Sequence, residues 1–304
     1  MCSIFWKCKF CAVKTLEPIY CPYIDIKEQI QCINKTFGEK RHLMLMDNNI
    51  LASNKLKDIV DDLIELGFGR ENKSYVNSQN RKLTRYIDFN QGTDARLITE
   101  DTIKLLSKLE VRPLRIAFDH ADKENVKLYI NAQRLAAKYN FKVLSNYILF
   151  NFEDTPYELY YRLRINIELN EDFESQGLKT RIWSFPMKYM PLEGEHCKDR
   201  KYVGKYWNKK LLRGIQCVLS ATHGVVGPNR DFFEHAFGKD YNEFLRILYM
   251  PEDYIIHRKE YSENGNIDMY KIYYNSMNSK EMNDFTEIIY VFLTIFLYLL
   301  KCPQ

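Results

Sequence analysis

Between residues 41 and 189, short apolar runs alternate with stretches of helical period, and this alternation constrains the fold more than any other feature of the chain. Arg41 to Asn49 (RHLMLMDNN) reads as a strand. Lys55 to Leu66 follows with apolar residues at Leu56, Ile59, Val60, Leu63, Ile64 and Leu66, the spacing of one helix face. Arg85 to Phe89 opens a second unit, whose helix from Thr99 to Leu109 has Thr99 or Thr102 as its cap. Pro113 to Phe118 precedes a helix from Glu124 to Tyr139, Phe141 to Phe150 precedes one from Thr155 to Asn166, and Thr180 to Tyr189 is the last strand. Strands that are apolar on both faces predict a parallel sheet under helices, joined by right-handed crossovers. Four or five such units in ~150 residues fit an α/β partial (β/α) barrel better than a short open sheet.

The ends of these runs are polar: MDNN, NQGTDAR, FDH and NFEDT. Ligands bind at the carboxyl ends of parallel strands in α/β folds, while the same residue types cap helices and form turns, so both readings stand for each residue. Beyond Leu192 the pattern changes, which divides the chain into a core, 1–192, and a mainly helical accessory region, 193–304. The net charge of +4 comes from 44 basic and 40 acidic residues, too even a balance to imply nucleic acid or an anionic membrane as partner. The basic and aromatic stretch from Arg200 to Lys210 offers a local route to RNA, beside the plainer reading of a solvated helix start. The thirteen apolar residues from Ile288 to Leu300 fall short of the ~17 to 25 needed to span a bilayer, so a buried or partner-docked helix is expected rather than an anchor. The first residues lack the apolar run and small-residue cleavage site of a secretory signal, so a cytoplasmic protein is expected.

Three of the eight cysteines, Cys2, Cys8 and Cys11, stand in the first eleven residues. In a reducing compartment such a cluster calls for metal or redox chemistry before a disulfide framework. Three thiolates on one loop can hold three irons of a [4Fe–4S] cluster and leave the fourth open. Zinc competes, although its structural sites usually need a second pair of ligands, and a loop without metal is the third reading. The six histidines show no HxH or HExxH spacing, and neither GxGxxG nor GxxxxGK[ST] occurs.

The string Cys8-Lys9-Phe10-Cys11 resembles the cluster loop of the radical S-adenosylmethionine (radical SAM) superfamily. LMDNNILAS, IDFNQGTDARLIT, RPLRIAFD and YILFNFEDTPYELYYRL resemble successive strand ends of its partial barrel, in an uncharacterised bacterial and phage branch. SFPMKYMPL and YVGKYWNKKLLRGIQCVLSATHGVVGP resemble the carboxyl-terminal extension of that branch. The resemblance implies a [4Fe–4S] cluster held by Cys2, Cys8 and Cys11, and S-adenosylmethionine cleaved to a 5'-deoxyadenosyl radical that attacks an unknown substrate, with a nucleic acid or peptide among the candidates. It implies an external electron donor of the reductase or flavodoxin type. It places Phe10 near the adenine, Asp47, Asn48 and Asn49 at the methionine amino group, and Asn90, Gln91, Asp94 and Arg96 on the next loop, where the guanidinium can pair with the methionine carboxylate. Asp119 and Asn151 become rim contacts for ribose or substrate. The family's first barrel strand should precede the cysteine loop, and only Met1 precedes Cys2, so the chain reads as shortened at its amino terminus and lacking that strand. The alternative is therefore a truncated, inactive relative that serves as a binding or interaction module.

Overall fold

A computed structural model describes residues 9–13, 25–46, 49–71, 75–278, 280–282 and 284–285. The apolar run from Ile288 to Leu300 lies outside them. Helix α1 (Ile26–Phe37) starts where the Asp25 carboxylate accepts the backbone N–H groups of Lys27 and Glu28. Strand β1 (His42–Leu45) and helix α2 (Leu56–Leu63) follow, then a short antiparallel hairpin of β2 (Tyr75–Val76) and β3 (Lys82–Leu83). The next units are β4 (Tyr86–Phe89) with α3 (Glu100–Leu106), β5 (Leu114–Arg115) with α4 (Lys123–Lys138), β6 (Val143–Phe150) with α5 (Pro156–Ser175), and β7 (Arg181–Lys188). Capping boxes at Thr99 and Thr155 set the first turns of α3 and α5.

The strands pair in parallel, but they form open sheets. β1 pairs with β4, and β5–β6–β7 make a separate sheet. Among the described residues, the β4 and β5 segments are joined only by single bridges beside the strands, Ile87 to Val111 and Thr93 to Ile116. This corrects the partial barrel expected from the sequence. Barrel geometry needs a continuous hydrogen-bonded wall of strands. Among the described residues, β5 is two residues long, β1 and β7 each have one strand neighbour, and the outer edge of β7 meets only Val226 through an antiparallel bridge at Ser184.

One face of β6 and β7 is sealed by helices. Leu144, Asn146, Ile148 and Phe150 are buried, as are Ile182, Ser184 and Pro186. On the other face Val143, Trp183 and Met187 are exposed, and Tyr147 and Phe185 are half-buried with their rings 6.0 Å apart. A parallel sheet is normally covered on both sides, so this face stands out as accessible among the described residues.

Helix α5 runs nine residues further than its amphipathic start predicts, because it is buried on two sides. The sheet covers one side. α7 (Arg230–Phe237) and α8 (Tyr241–Tyr249), which follow α6 (Lys209–Ala221), cover the other, with Tyr160 of α5 packed among Phe233, Tyr241 and Phe244. Helices α6 and α8 cross closely enough that a Cβ on Gly214 would stand 2.6 Å from the Leu248 carbonyl oxygen, so only glycine fits there. Helices α9 (Glu252–Ile256), α10 (Arg258–Glu263) and α11 (Asn266–Ser276) complete this part.

A buried polar ladder ties α4 and α5 to the sheet. The Tyr129 hydroxyl donates to Asn166 Oδ1 at 2.7 Å and accepts from Asn146 Nδ2 at 2.7 Å; Asn166 Nδ2 donates to Ser184 Oγ at 2.9 Å. Burial pushes the Tyr129 hydroxyl far above its ordinary pKa, so it remains a donor. Tyr129→Phe leaves two buried amide atoms without their partner and is expected to cost about 1–3 kcal/mol in urea unfolding. A change near zero would show that the ladder contributes nothing.

Candidate functional site

At the carboxyl ends of β5 and β6, one side chain organises the loops. Arg162 of α5 is wholly buried, and its five N–H groups meet five oxygens. Nε donates to Glu158 O at 3.1 Å. One Nη donates to Phe118 O at 3.1 Å and Asp119 O at 3.2 Å; the other donates to Leu149 O at 2.9 Å and Asp154 Oδ2 at 3.1 Å. Burial pulls the guanidinium below its ordinary range and pushes the Asp154 carboxyl up, each resisted by the attraction between them. The clamp thus closes the end of β6, and the segment after β5, onto a single helix.

The carboxylate of Asp119 is not part of the clamp, since only its backbone oxygen is taken. Its side chain makes no hydrogen bond or ion pair among the described residues, and burial pushes its pKa up against the attraction of Arg162 and His120. Asp94 and Arg96 also lie within its electrostatic reach, but they are committed to each other. The Arg96 guanidinium grips the Asp94 carboxylate at 2.8, 3.0 and 2.5 Å, and the Arg96 backbone N–H adds a bond of 2.9 Å. Aromatic rings gather around His120, the residue after Asp119. Phe10 lies 6.3 Å from His120 and 5.6 Å from Phe152, and Phe152 meets Tyr189 edge-on at 4.7 Å. Lys9 pairs with Glu153 at 2.9 Å, which brings the segment 9–13 to the same rim.

The remaining residues singled out by sequence have other roles or positions. Asn90 joins the ends of β4 and β1, its N–H donating to Leu45 O at 3.1 Å and its amide reaching the Met46 sulfur at 3.6 Å. Gln91 is exposed, and Asn49 is buried at the start of a short turn over Ile50–Ala52. Asn151 is a structural pin. It takes a left-handed φ of 68°, donates to Tyr189 O at 3.2 Å and Tyr202 O at 3.1 Å, and accepts from Gly204 N–H at 2.7 Å. A Cβ on Gly204 would stand 2.7 Å from the Asn151 carbonyl oxygen, so the two residues lock the 189–204 loop together. In the basic stretch that follows, Trp207 is buried and donates to Asp154 O at 2.9 Å, and Lys210 is buried against Met250 O, so both are part of the packing. Cys2, Cys8, Asp47 and Asn48 lie outside the described residues.

The alternation of the sequence concealed two charged groups in this region. Asp88 and Arg115 form a bidentate pair at 2.9 and 2.8 Å between β4 and β5, with the guanidinium 5.3 Å from the Tyr147 ring on the accessible face of the sheet. The pairing holds the guanidinium of Arg115 above its ordinary range. The sequence signal was a charge inside each of the otherwise apolar stretches YIDF and PLRIAF. For Arg162, the signal was its place three residues from Leu159 and four from Asn166, on the buried side of α5.

No family model matches the chain, and no curated protein matches it. Among the described residues, no group of three or more His, Cys, Asp or Glu side chains could hold a metal ion, and Cys11, Cys32, Cys197 and Cys217 are free thiols. A [4Fe–4S] cluster needs three converging ligands, and Cys11 has no such company there. With open sheets in place of a barrel, these findings overturn the radical SAM resemblance. The [4Fe–4S] and S-adenosylmethionine cofactors, the radical enzyme activity and the inactive-relative alternative are corrected with it. Also among the described residues, no helix is long and apolar enough to cross a membrane.

Arg162→Met leaves Asp154 and several carbonyls without their donor and is expected to destabilise the fold by about 3–5 kcal/mol in urea unfolding. Lys57→Gln, which removes an exposed pair with Asp61, should change it by less than about 1 kcal/mol. Equal effects would deny Arg162 its organising role.

Proposed function

We propose that this protein binds a small organic cation at the carboxyl-end rim of its parallel strands, with Asp119 as the anionic contact. The observation that carries this reading is the uncommitted Asp119 carboxylate, which stands beside paired charges at Arg96–Asp94 and Arg162–Asp154. An ionised carboxylate in a partly desolvated setting is stabilised by a cation that replaces lost water. The nearby rings of Phe10 and Phe152 favour the same class of ligand, because aromatic faces attract cations. The half-buried rings of Tyr147 and Phe185 provide a surface on which the apolar body of such a ligand can rest. Rim and sheet face together suit binding and recognition, and the reading assigns no reaction. We place the protein in the cytoplasm, a reading supported by its free thiols.

The pH dependence has a definite sign. Asp119 titrates above the ordinary carboxylate value in the folded protein, so its ionisation opposes folding. Its contribution is favourable below the unfolded-state pKa of about 3.9 and is lost as pH rises through the raised folded value. Asp119→Asn is therefore expected to raise the melting temperature at pH 7 by a few degrees, and the gain should vanish below about pH 4.

Binding moves the opposite way. Choline, agmatine and tetramethylammonium, titrated calorimetrically, test the class. At least one should bind saturably, more tightly at pH 7 than at pH 4, and lose at least about tenfold in affinity with Asp119→Asn. No saturable binding by any of the three, or equal affinity in the variant, contradicts the proposal.

A further inference from the structure

At the other ends of the strands, a cavity of about 580 Å³ opens among the segments that lead into β4, β5 and β6. Arg70, Arg85, Arg112 and Lys142 line it, against one carboxylate, Glu110. Arg112 holds that carboxylate at 2.6 Å. Among the described residues, the other three cations have no carboxylate within ion-pair distance.

Their positive charge is oriented mainly by neutral groups, while the carboxylates of Glu39 and Glu110 attract Arg85 and Arg70 from beyond ion-pair distance. Arg85 is buried between the rings of Phe68 at 4.1 Å and Tyr75 at 4.8 Å, and donates to the carbonyls of Lys40 at 3.0 Å and Leu66 at 2.6 Å. Arg70 lies 4.8 Å from the Phe141 ring and donates to Tyr139 O at 2.9 Å. Burial lowers the pKa of both guanidinium groups. Carbonyls and ring faces orient a cation but do not cancel its charge, so the cavity keeps an excess of positive charge in a setting of reduced solvent screening.

We propose that this cavity binds a small molecule through a phosphate group. Guanidinium forks and a lysine ammonium are the side chains that recognise phosphate oxygens, and the volume is that of a small-molecule site. Glu110 holds Arg112 at the mouth, and Lys142 is exposed where it can close on the ligand. The site lies at the opposite ends of the strands from the Asp119 rim and does not depend on that reading.

Calorimetric titration in about 50 mM salt tests it, with inorganic phosphate and ribose 5-phosphate as probes. Saturable one-to-one binding is expected, weaker in higher salt. Lys142→Gln, a change at an exposed side chain, should weaken binding about tenfold. Tighter binding of ribose 5-phosphate would identify an organic phosphate ester as the ligand class, and equal affinities would identify the free ion; both support the site. Absence of saturable binding by either probe, or unchanged affinity in Lys142→Gln, overturns it. Asp119→Asn should leave these affinities unaltered, which keeps the test separate from that of the rim.

Discussion

The buried guanidinium of Arg162 is the constraint on which the carboxyl-end architecture depends. Strand ends leave carbonyl oxygens to be satisfied, and here those of Phe118, Asp119 and Leu149 converge on one donor fork that Asp154 also neutralises. A buried cation is costly unless all its donors are used, and all five are. The cost of burying this charge is offset by closing two strand-end segments onto α5 together. The same arrangement leaves the Asp119 carboxylate with no share in the clamp, because its backbone oxygen supplies the contact. A partly desolvated acid among paired charges follows from how the loops are fastened.

Around that point the molecule separates two kinds of polar residue. Tyr129, Asn166 and Asn151 are satisfied by neighbours and specify how helices and loops sit on the sheet. Among the described residues, Asp119 at one end of the strands, and Arg70, Arg85 and Lys142 at the other, form no ion pair, although opposite charges act on Asp119, Arg70 and Arg85 from further away. Satisfied groups hold the fold, and uncompensated charges mark where ligands of opposite sign would gain most.

The strand and helix segments were legible because their signals are local. The capping boxes at Thr99 and Thr155 and the period of α4 can be read within a dozen residues. The pairing of the strands was not legible. Whether RPLRIAF supplies a six-residue strand or the two residues of β5 depends on its neighbours, and this decided between a barrel wall and separate open sheets. The candidate site was half legible. Asp119 was singled out because polar residues at strand ends are an informative class. Asn151 belonged to the same class and proved to be a loop pin, since its partners at Tyr189, Tyr202 and Gly204 are 38 to 53 residues away. Arg162 passed as an ordinary helix charge because nothing local distinguishes a buried arginine from an exposed one. The cysteine string misled for a related reason: a short motif implies convergence, and convergence is a property of the fold.

The most direct test of this account is the titration of the Asp119 side-chain carboxyl, followed by carbon-13 NMR in the ligand-free protein and assigned by the Asp119→Asn variant. A midpoint clearly above the value of about 3.9 for a free aspartate is expected, because the carboxylate is desolvated and, among the described residues, unpaired. A midpoint at or below that value would mean that Asp119 is already paired or fully hydrated, and would contradict its assignment as the anionic contact of the site.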